Sequence, residues 1–304
     1  MAENHFPEPI SDYLPNLLDP KHTKGSSGKL AIIGGSPDYT GAPFYASYAP
    51  LRIGADLTYV YTVPEAATVI KSYSPDLIVL PTLDWDTIKK RIETFDGIVF
   101  GPGLGRETET LVPLLRKLIP EVRKRQDSVS LVVDADGLFL VEQDISLIKN
   151  CPNIVLTPNH REFDYLWKTV FPNDKPSESD AVGDVRKVAK ELGVVVMKKG
   201  GADVISDGER IVSCSDQSTP RRCGGQGDLL AGATCLFAFW ASKFPDAKAC
   251  PKTRLLRGAA AASKFIRYTG LTTYEKIGRS MTASDMIKSI GSALSHFDKS
   301  GHHL

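Results

Sequence analysis

The chain has no excess charge of either sign. Its 37 lysines and arginines stand against 36 aspartates and glutamates, leaving a formal net charge of +1 and a sequence pI near 7.6. So small a charge gathers neither nucleic acid nor an acidic membrane surface, and both are excluded as default partners. Cysteine is scarce as well. Cys151, Cys214, Cys223, Cys235 and Cys250 are odd in number and show neither metal-ligand pairing nor a disulfide framework, which predicts reduced thiols inside the cell. Long hydrophobic runs are also missing. The longest, around residues 229–241, falls short of the roughly 20 residues a spanning helix needs and reads as a buried helix. The first residues lack the features of a signal or transit peptide, so the cytoplasm is the expected address, with a mitochondrial pool left open. Without a composition break, a repeat or a low-complexity linker, residues 1–304 are expected to form one domain.

Against these absences stands a regular alternation. Short β-branched or apolar runs occupy residues 30–33, 57–61, 77–80, 98–100, 131–133, 154–156 and 194–197. Helix-like stretches, among them 42–53, 108–125, 180–192, 229–239, 255–268 and 284–296, fall between or after them. Runs that are apolar throughout suit a parallel sheet covered by helices on both faces, so the predicted class is α/β, doubly wound. Residues 202–213, with Asp207-Gly208 between two short runs, predict an antiparallel hairpin at the sheet edge.

In open α/β sheets ligands collect beyond the carboxyl ends of the strands, and those places carry unusual residues here. Gly34-Gly35-Ser36 with Tyr39-Thr40-Gly41-Ala42-Pro43 serves equally as a tight turn or as a substrate wall. Gly101-Pro102-Gly103-Leu104-Gly105-Arg106 crowds more glycine into one turn than a plain turn requires, which points to close backbone approach by a ligand. Asp134 and Asp136 follow a strand, where Asp136 either caps the next helix or meets a ligand. Asn159 and Glu162 share one face of a helix start, as a capping box, as holders of a hydrated Mg²⁺, or as both. His160 carries no metal reading because no second histidine stands at ligand spacing, and His302-His303 read as a solvated tail.

The densest chemistry lies in Lys199-Gly200-Gly201-Ala202-Asp203 and in Ser218-Thr219-Pro220-Arg221-Arg222-Cys223-Gly224-Gly225-Gln226-Gly227-Asp228. Glycines feeding a helix turn backbone N–H groups and a positive dipole end toward an anion, and the lysine and arginines add cations. A carboxylate at the same mouth is repelled by phosphate. Asp228 therefore predicts a base that takes the proton from a hydroxyl attacking a phosphoryl group. Cys223 reads as a packing residue, since no partner base can be named for it.

These motifs, in this order and over residues 9–297, resemble the ATP-dependent NAD(P)H-hydrate dehydratases of the ribokinase-like superfamily. The resemblance implies ATP-driven dehydration of the S form of hydrated NADH or NADPH, with Mg²⁺ beside ATP and organised near Glu162 through water. It implies ATP contacts from Lys199 to Asp203 and from Ser218 to Gly227. Substrate contacts are implied for Gly103, Gly105, Asn159, His160, Arg161, Glu162, Phe163, Asp164, Tyr165 and Asp228, with the amides of Gly225, Gln226 and Gly227 on the transferring phosphoryl group. Gln226 stands where other kinases of the superfamily often carry alanine, so an added substrate or phosphate contact is expected there. A separate epimerase for the R form is the implied functional partner, and homo-oligomers occur in the family. A vitamin or sugar kinase on the same fold is the alternative, and a nucleotide-sensing binding protein is a more distant one.

Overall fold

The computed structural model describes residues 9–177 and 179–298, and every count and absence below refers to them. His302 and His303 lie outside the described residues. The elements run β1 (Lys29–Ile33), α1 (Gly41–Ile53), β2 (Leu57–Tyr61), α2 (Pro64–Tyr73), β3 (Ile78–Leu80), α3 (Trp85–Ile92), β4 (Gly97–Phe100), α4 (Thr108–Lys124), β5 (Ser130–Val133) and α5 (Asp136–Glu142). Then come β6 (Ile154–Leu156), α6 (His160–Val170), α7 (Ala181–Leu192), β7 (Val195–Lys198), β8 (Asp203–Ser206), β9 (Ile211–Cys214), α8 (Gln226–Ala241), α9 (Pro245–Ala249), α10 (Pro251–Ile277) and α11 (Ala283–Phe297).

The strands form one sheet in the order β3-β2-β1-β4-β5-β6-β7-β8-β9, parallel from β3 to β7. The hairpin β8–β9 closes the edge antiparallel, as the Asp207-Gly208 pair predicts. Asp207 builds that turn by accepting the N–H groups of Glu209 (3.0 Å) and Arg210 (2.7 Å) on one carboxylate oxygen. Because the inner strands β1 and β4 to β7 are covered on both sides, neighbouring residues enter different cores. Leu30 and Ile32 belong to the core that also holds residues of α1, α8 and α10, whereas Ala31 and Ile33 belong to the core that holds residues of α3, α4 and α5. This is the reason for unbroken apolar runs where a half-exposed strand would alternate.

Strand order reverses between β1 and β4, and in open α/β sheets the crevice that takes a ligand lies beyond the carboxyl ends at such a switch point. Gly35 N–H donates to the carbonyl of Pro102 across it (2.9 Å). The helix carrying Asp228 begins earlier than residue 229, the start that the sequence predicts. Its first residue is Gln226, so Asp228 lies inside the first turn of α8. No helix is long and apolar enough to cross a membrane, and all five cysteines are free.

Candidate active site

Helix α8 opens on Gly225, whose φ of +92° and surroundings both demand glycine. A Cβ there would lie 2.6 Å from the Ala283 Cβ and 2.8 Å from the Tyr45 ring. No side chain caps this helix. Its first amides therefore have no intrahelical acceptor and remain available to an anion at the positive end of the dipole. Behind them α8 is apolar and buried from Leu229 onward, which fixes the turn rigidly against α1 and α10.

Four charged side chains from separate parts of the chain meet beside this turn. Lys199 reaches from the end of β7 and donates to Asp134 Oδ1 at 2.6 Å, with Glu162 Oε2 3.9 Å away. Thr157 Oγ1 donates to the same Asp134 oxygen at 2.7 Å, so the buried carboxylate is doubly bound. Burial works against the Lys199 charge, but Asp134 and Glu162 outweigh it and hold the ammonium above its ordinary pKa. Asp228 is raised too, but there the shift favours the neutral form. Burial, followed by the Asp134 charge, pushes its carboxyl up to about 8 despite the opposing pull of Lys199. Glu162 is raised by burial as well. A carboxylate with so high a pKa at a helix N-terminus has the character of a proton acceptor held in reserve.

The strand-end turn between Asp134 and Asp136 sets those two carboxylates apart. Ala135 adopts φ +51°, a strained value for alanine, and sends its neighbours in different directions. Asp136 is the first residue of α5 and does not cap it, which corrects the capping reading. Its carboxylate accepts the Gly105 N–H (3.0 Å) and pairs with Arg106 Nε (3.3 Å), tying down the 101–106 turn. Asn159 and Glu162 do form the capping box. Asn159 N–H donates to Glu162 Oε2 (2.7 Å) and Glu162 N–H to Asn159 Oδ1 (3.0 Å), leaving the second Glu162 oxygen free of that box.

On the far side of the α8 turn lies a pocket of about 400 Å³. Lys199, Gly200, Asp203, Ser218, Thr219, Arg222, Cys223, Gln226 and Gly227, all named from sequence, line it together with Asn159. Leu230, Ser263, Ile266, Arg267 and Met286 line it too, and sequence reasoning missed these. The available signal was Ser263 and Arg267, four apart on one face of the largely apolar α10. Both reach Asp203, whose Oδ2 accepts Ser263 Oγ (2.7 Å) and pairs with Arg267 (3.3 Å) while Oδ1 accepts the Gly200 N–H (2.9 Å). Arg267 also donates to the Gly201 carbonyl, so the pair shapes the 200–203 turn as a pocket wall.

Other expected positions divide. Gly201, Ala202, Pro220, Arg221, Gly224 and Gly225 flank the pocket in sequence without lining it. Gln226 donates its side-chain amide to the Arg221 carbonyl (3.1 Å), closing the 221–226 loop while it lines the pocket. Thr219 accepts the Arg221 N–H (3.0 Å) in the same loop. Burial holds the Cys223 thiol above its ordinary pKa, consistent with packing. Phe163 is a correction. Its ring is fully buried in the core under α6, with Lys198 Nζ 4.3 Å from the centroid, so its side chain offers no surface to a substrate. His160, Arg161 and Tyr165 are exposed on α6, and Asp164 is partly buried. Gly103 is buried beneath Tyr39 and Ala42, whereas Gly105 is partly exposed.

The class of protein is set by the fold. A ribokinase-like superfamily protein from Enterococcus faecalis V583 matches with a TM-score of 0.76 at 20% identity, covering 95% of this chain and 94% of that one. The ADP/ATP-dependent NAD(P)H-hydrate dehydratase of Bacillus subtilis, co-crystallised with ATP and Mg²⁺, matches with a TM-score of 0.71 at 17% identity over 95% and 96%. The scaffold is ribokinase-like. Sequence narrows it further, because residues 30–290 match the family model described as NAD(P)H-hydrate dehydratase. The ATP-dependent (S)-NAD(P)H-hydrate dehydratase of Mus musculus is 40% identical over 298 residues, 96% of this chain and 85% of that protein. That of Ixodes scapularis is 41% identical over 287 residues, 91% of each. The chain belongs to the NAD(P)H-hydrate dehydratase family.

Proposed function

We propose that this chain restores NADH and NADPH from the S form of their hydrates, using ATP and releasing ADP and phosphate. The observation that carries the reading is the place of Asp228, in the first turn of α8 within the charge of Lys199, Asp134 and Glu162, one residue on from Gly227, which lines the pocket of about 400 Å³ together with Gln226. ATP takes the pocket, its purine against Leu230, Ile266 and Met286 and its phosphates toward Lys199, Arg222 and the amides of Gly225, Gln226 and Gly227. The hydrated nicotinamide ring takes the crevice side.

Hydroxide is a poor leaving group and phosphate a good one, so phosphorylation must precede elimination. Asp228 accepts the proton of the ring hydroxyl as its oxygen attacks the γ-phosphorus and the bond to ADP breaks. The α8 amides and Lys199 hold the charge on the transferring phosphoryl group. The ring nitrogen lone pair then expels phosphate with the C–O electron pair, and the neighbouring ring carbon gives a proton to the departing phosphate, which restores the double bond. Because Asp228 receives a proton in the first half, it carries one to dispose of before the next turnover.

Magnesium accompanies ATP in this reading. No group of three His, Cys, Asp or Glu side chains is poised as a direct metal shell among the described residues, and Lys199 occupies the space next to Asp134. The residues fit an ion held by phosphate oxygens and water, with Glu162 as the protein carboxylate that its waters would meet. When bound, such an ion would neutralise charge on the phosphates. The reading also treats residues 1–304 as one domain that depends on a separate epimerase for the R form. Homo-oligomers and a cytoplasmic address go with it, the latter supported by the free cysteines.

The test is to incubate the protein with acid-hydrated NADH and Mg-ATP while following the reduced-nicotinamide absorbance and free phosphate together. Equal recovery of chromophore and phosphate from the S epimer is expected. A stable phosphorylated alcohol, or ADP without chromophore, would mark a kinase and overturn the reading.

A further inference from the structure

An aromatic run leaves the reaction centre in a direction the mechanism does not use. Tyr45 lies against Gly225, its ring 2.8 Å from where a Cβ would stand. Its centroid is 5.5 Å from Phe44, which is 5.2 Å from Tyr73 on α2. Tyr73 OH and Thr40 Oγ1 are hydrogen-bonded at 2.7 Å, which joins α2 to the loop carrying Tyr39. Tyr39 sits directly over Gly103 at the crevice mouth. The run ends in solvent, with Tyr39, Tyr73 and Val69 exposed by 60%, 45% and 43%. Val69 and Tyr73, four apart on α2, share one face.

Resting on the proposed function, we infer that this shelf seats the adenine ring of the dinucleotide substrate, separately from the ATP pocket. A dinucleotide whose hydrated ring lies at Asp228 must extend its pyrophosphate and second nucleoside out of the crevice. The shelf is continuous with that site through Tyr45. Of the substrate's two rings the hydrated nicotinamide is partly saturated and stacks poorly, whereas adenine is flat and aromatic, which suits exposed tyrosine faces joined to a β-branched side chain. The hydroxyl link between Tyr73 and Thr40 holds the Tyr73 ring in place, lowering the ordering cost on binding.

The experiment compares hydrated NADH with hydrated reduced nicotinamide mononucleotide, which lacks the adenosine half, using full-length wild type, Tyr73→Ala and Tyr73→Phe. Tyr73→Ala should raise KM for the dinucleotide about five- to tenfold, leaving the mononucleotide KM and the ATP KM at wild-type values. Tyr73→Phe, which keeps the ring, should stay within about twofold. Equal effects on both substrates, or no effect on either, would overturn the assignment while the dehydratase reading stands. A change of oligomeric state in Tyr73→Ala would reassign the shelf to a subunit contact and also overturn it. A wild type inert toward both hydrates would remove the proposed function and this inference together.

Discussion

The two glycine-rich turns at the mouth of the sheet, 101–106 and 223–228, look alike in sequence and spend their glycines differently. In the first, Gly101 at φ +121° would place a Cβ 2.0 Å from the Asp134 carbonyl oxygen and 2.4 Å from the Gly137 nitrogen. Its freedom is consumed by packing inside the protein, and Asp136 ties the turn from below. In the second, Gly225 packs tightly, but a Cβ on Gly224 would meet nothing within 4 Å and one on Gly227 only Lys199 Nζ at 3.4 Å. These glycines face open space beside a charged cluster. Glycine density alone therefore does not separate a ligand cradle from a crowded junction; what a Cβ would strike does.

Substitutions can break this contrast. Gly101→Ala should cost on the order of 4 kcal/mol in denaturant unfolding, since rigid backbone blocks the new methyl group. A loss below about 1 kcal/mol would mean that the junction is looser than drawn. Gly225→Ala meets side chains as well as an unfavourable φ, so roughly 2 kcal/mol of stability should go along with a large fall in turnover. Next in size is the pH response. Asp228 must be deprotonated to act and is raised to about 8 in the free protein, so kcat/KM should climb about tenfold per unit from pH 6 and level off above 8. Asp134→Asn removes a charge that raises Asp228 and should move the inflection to lower pH. Gly224→Ala should leave the melting temperature unchanged within about 1 °C. If it lowers activity at unchanged stability, ligand meets that part of the turn directly, which sharpens the comparison further.

The sheet was legible because a strand covered on both faces must be apolar throughout, and the runs at 98–100, 131–133 and 154–156 say so. The edge hairpin was legible from Asp207-Gly208. The short helices α2 and α3 were not singled out, since so few residues give little periodicity. The site was legible as motifs but not as partners. Nothing local marks Lys199 as the partner of Asp134, 65 residues earlier, or Arg267 as the partner of Asp203, 64 residues before it. Nor does sequence show that Phe163, adjacent to functional positions, turns into the core, because the helical face that is buried is decided by α6 packing on the sheet.

Asp228→Asn tests the central claim most directly, with phosphate release and chromophore recovery followed together in the presence of hydrated NADH and Mg-ATP. The substitution also reports its own folding. A carboxyl with a raised pKa keeps its full contribution to the folded state only below its ordinary value of 3.8 and loses it as pH rises from there to about 8, so the variant should match wild type near pH 3 and gain stability over it progressively toward pH 9. The account predicts that both products fall together by about a hundredfold or more, while ATP affinity is kept. A folded Asp228→Asn protein that releases phosphate and restores chromophore at the wild-type rate would contradict it.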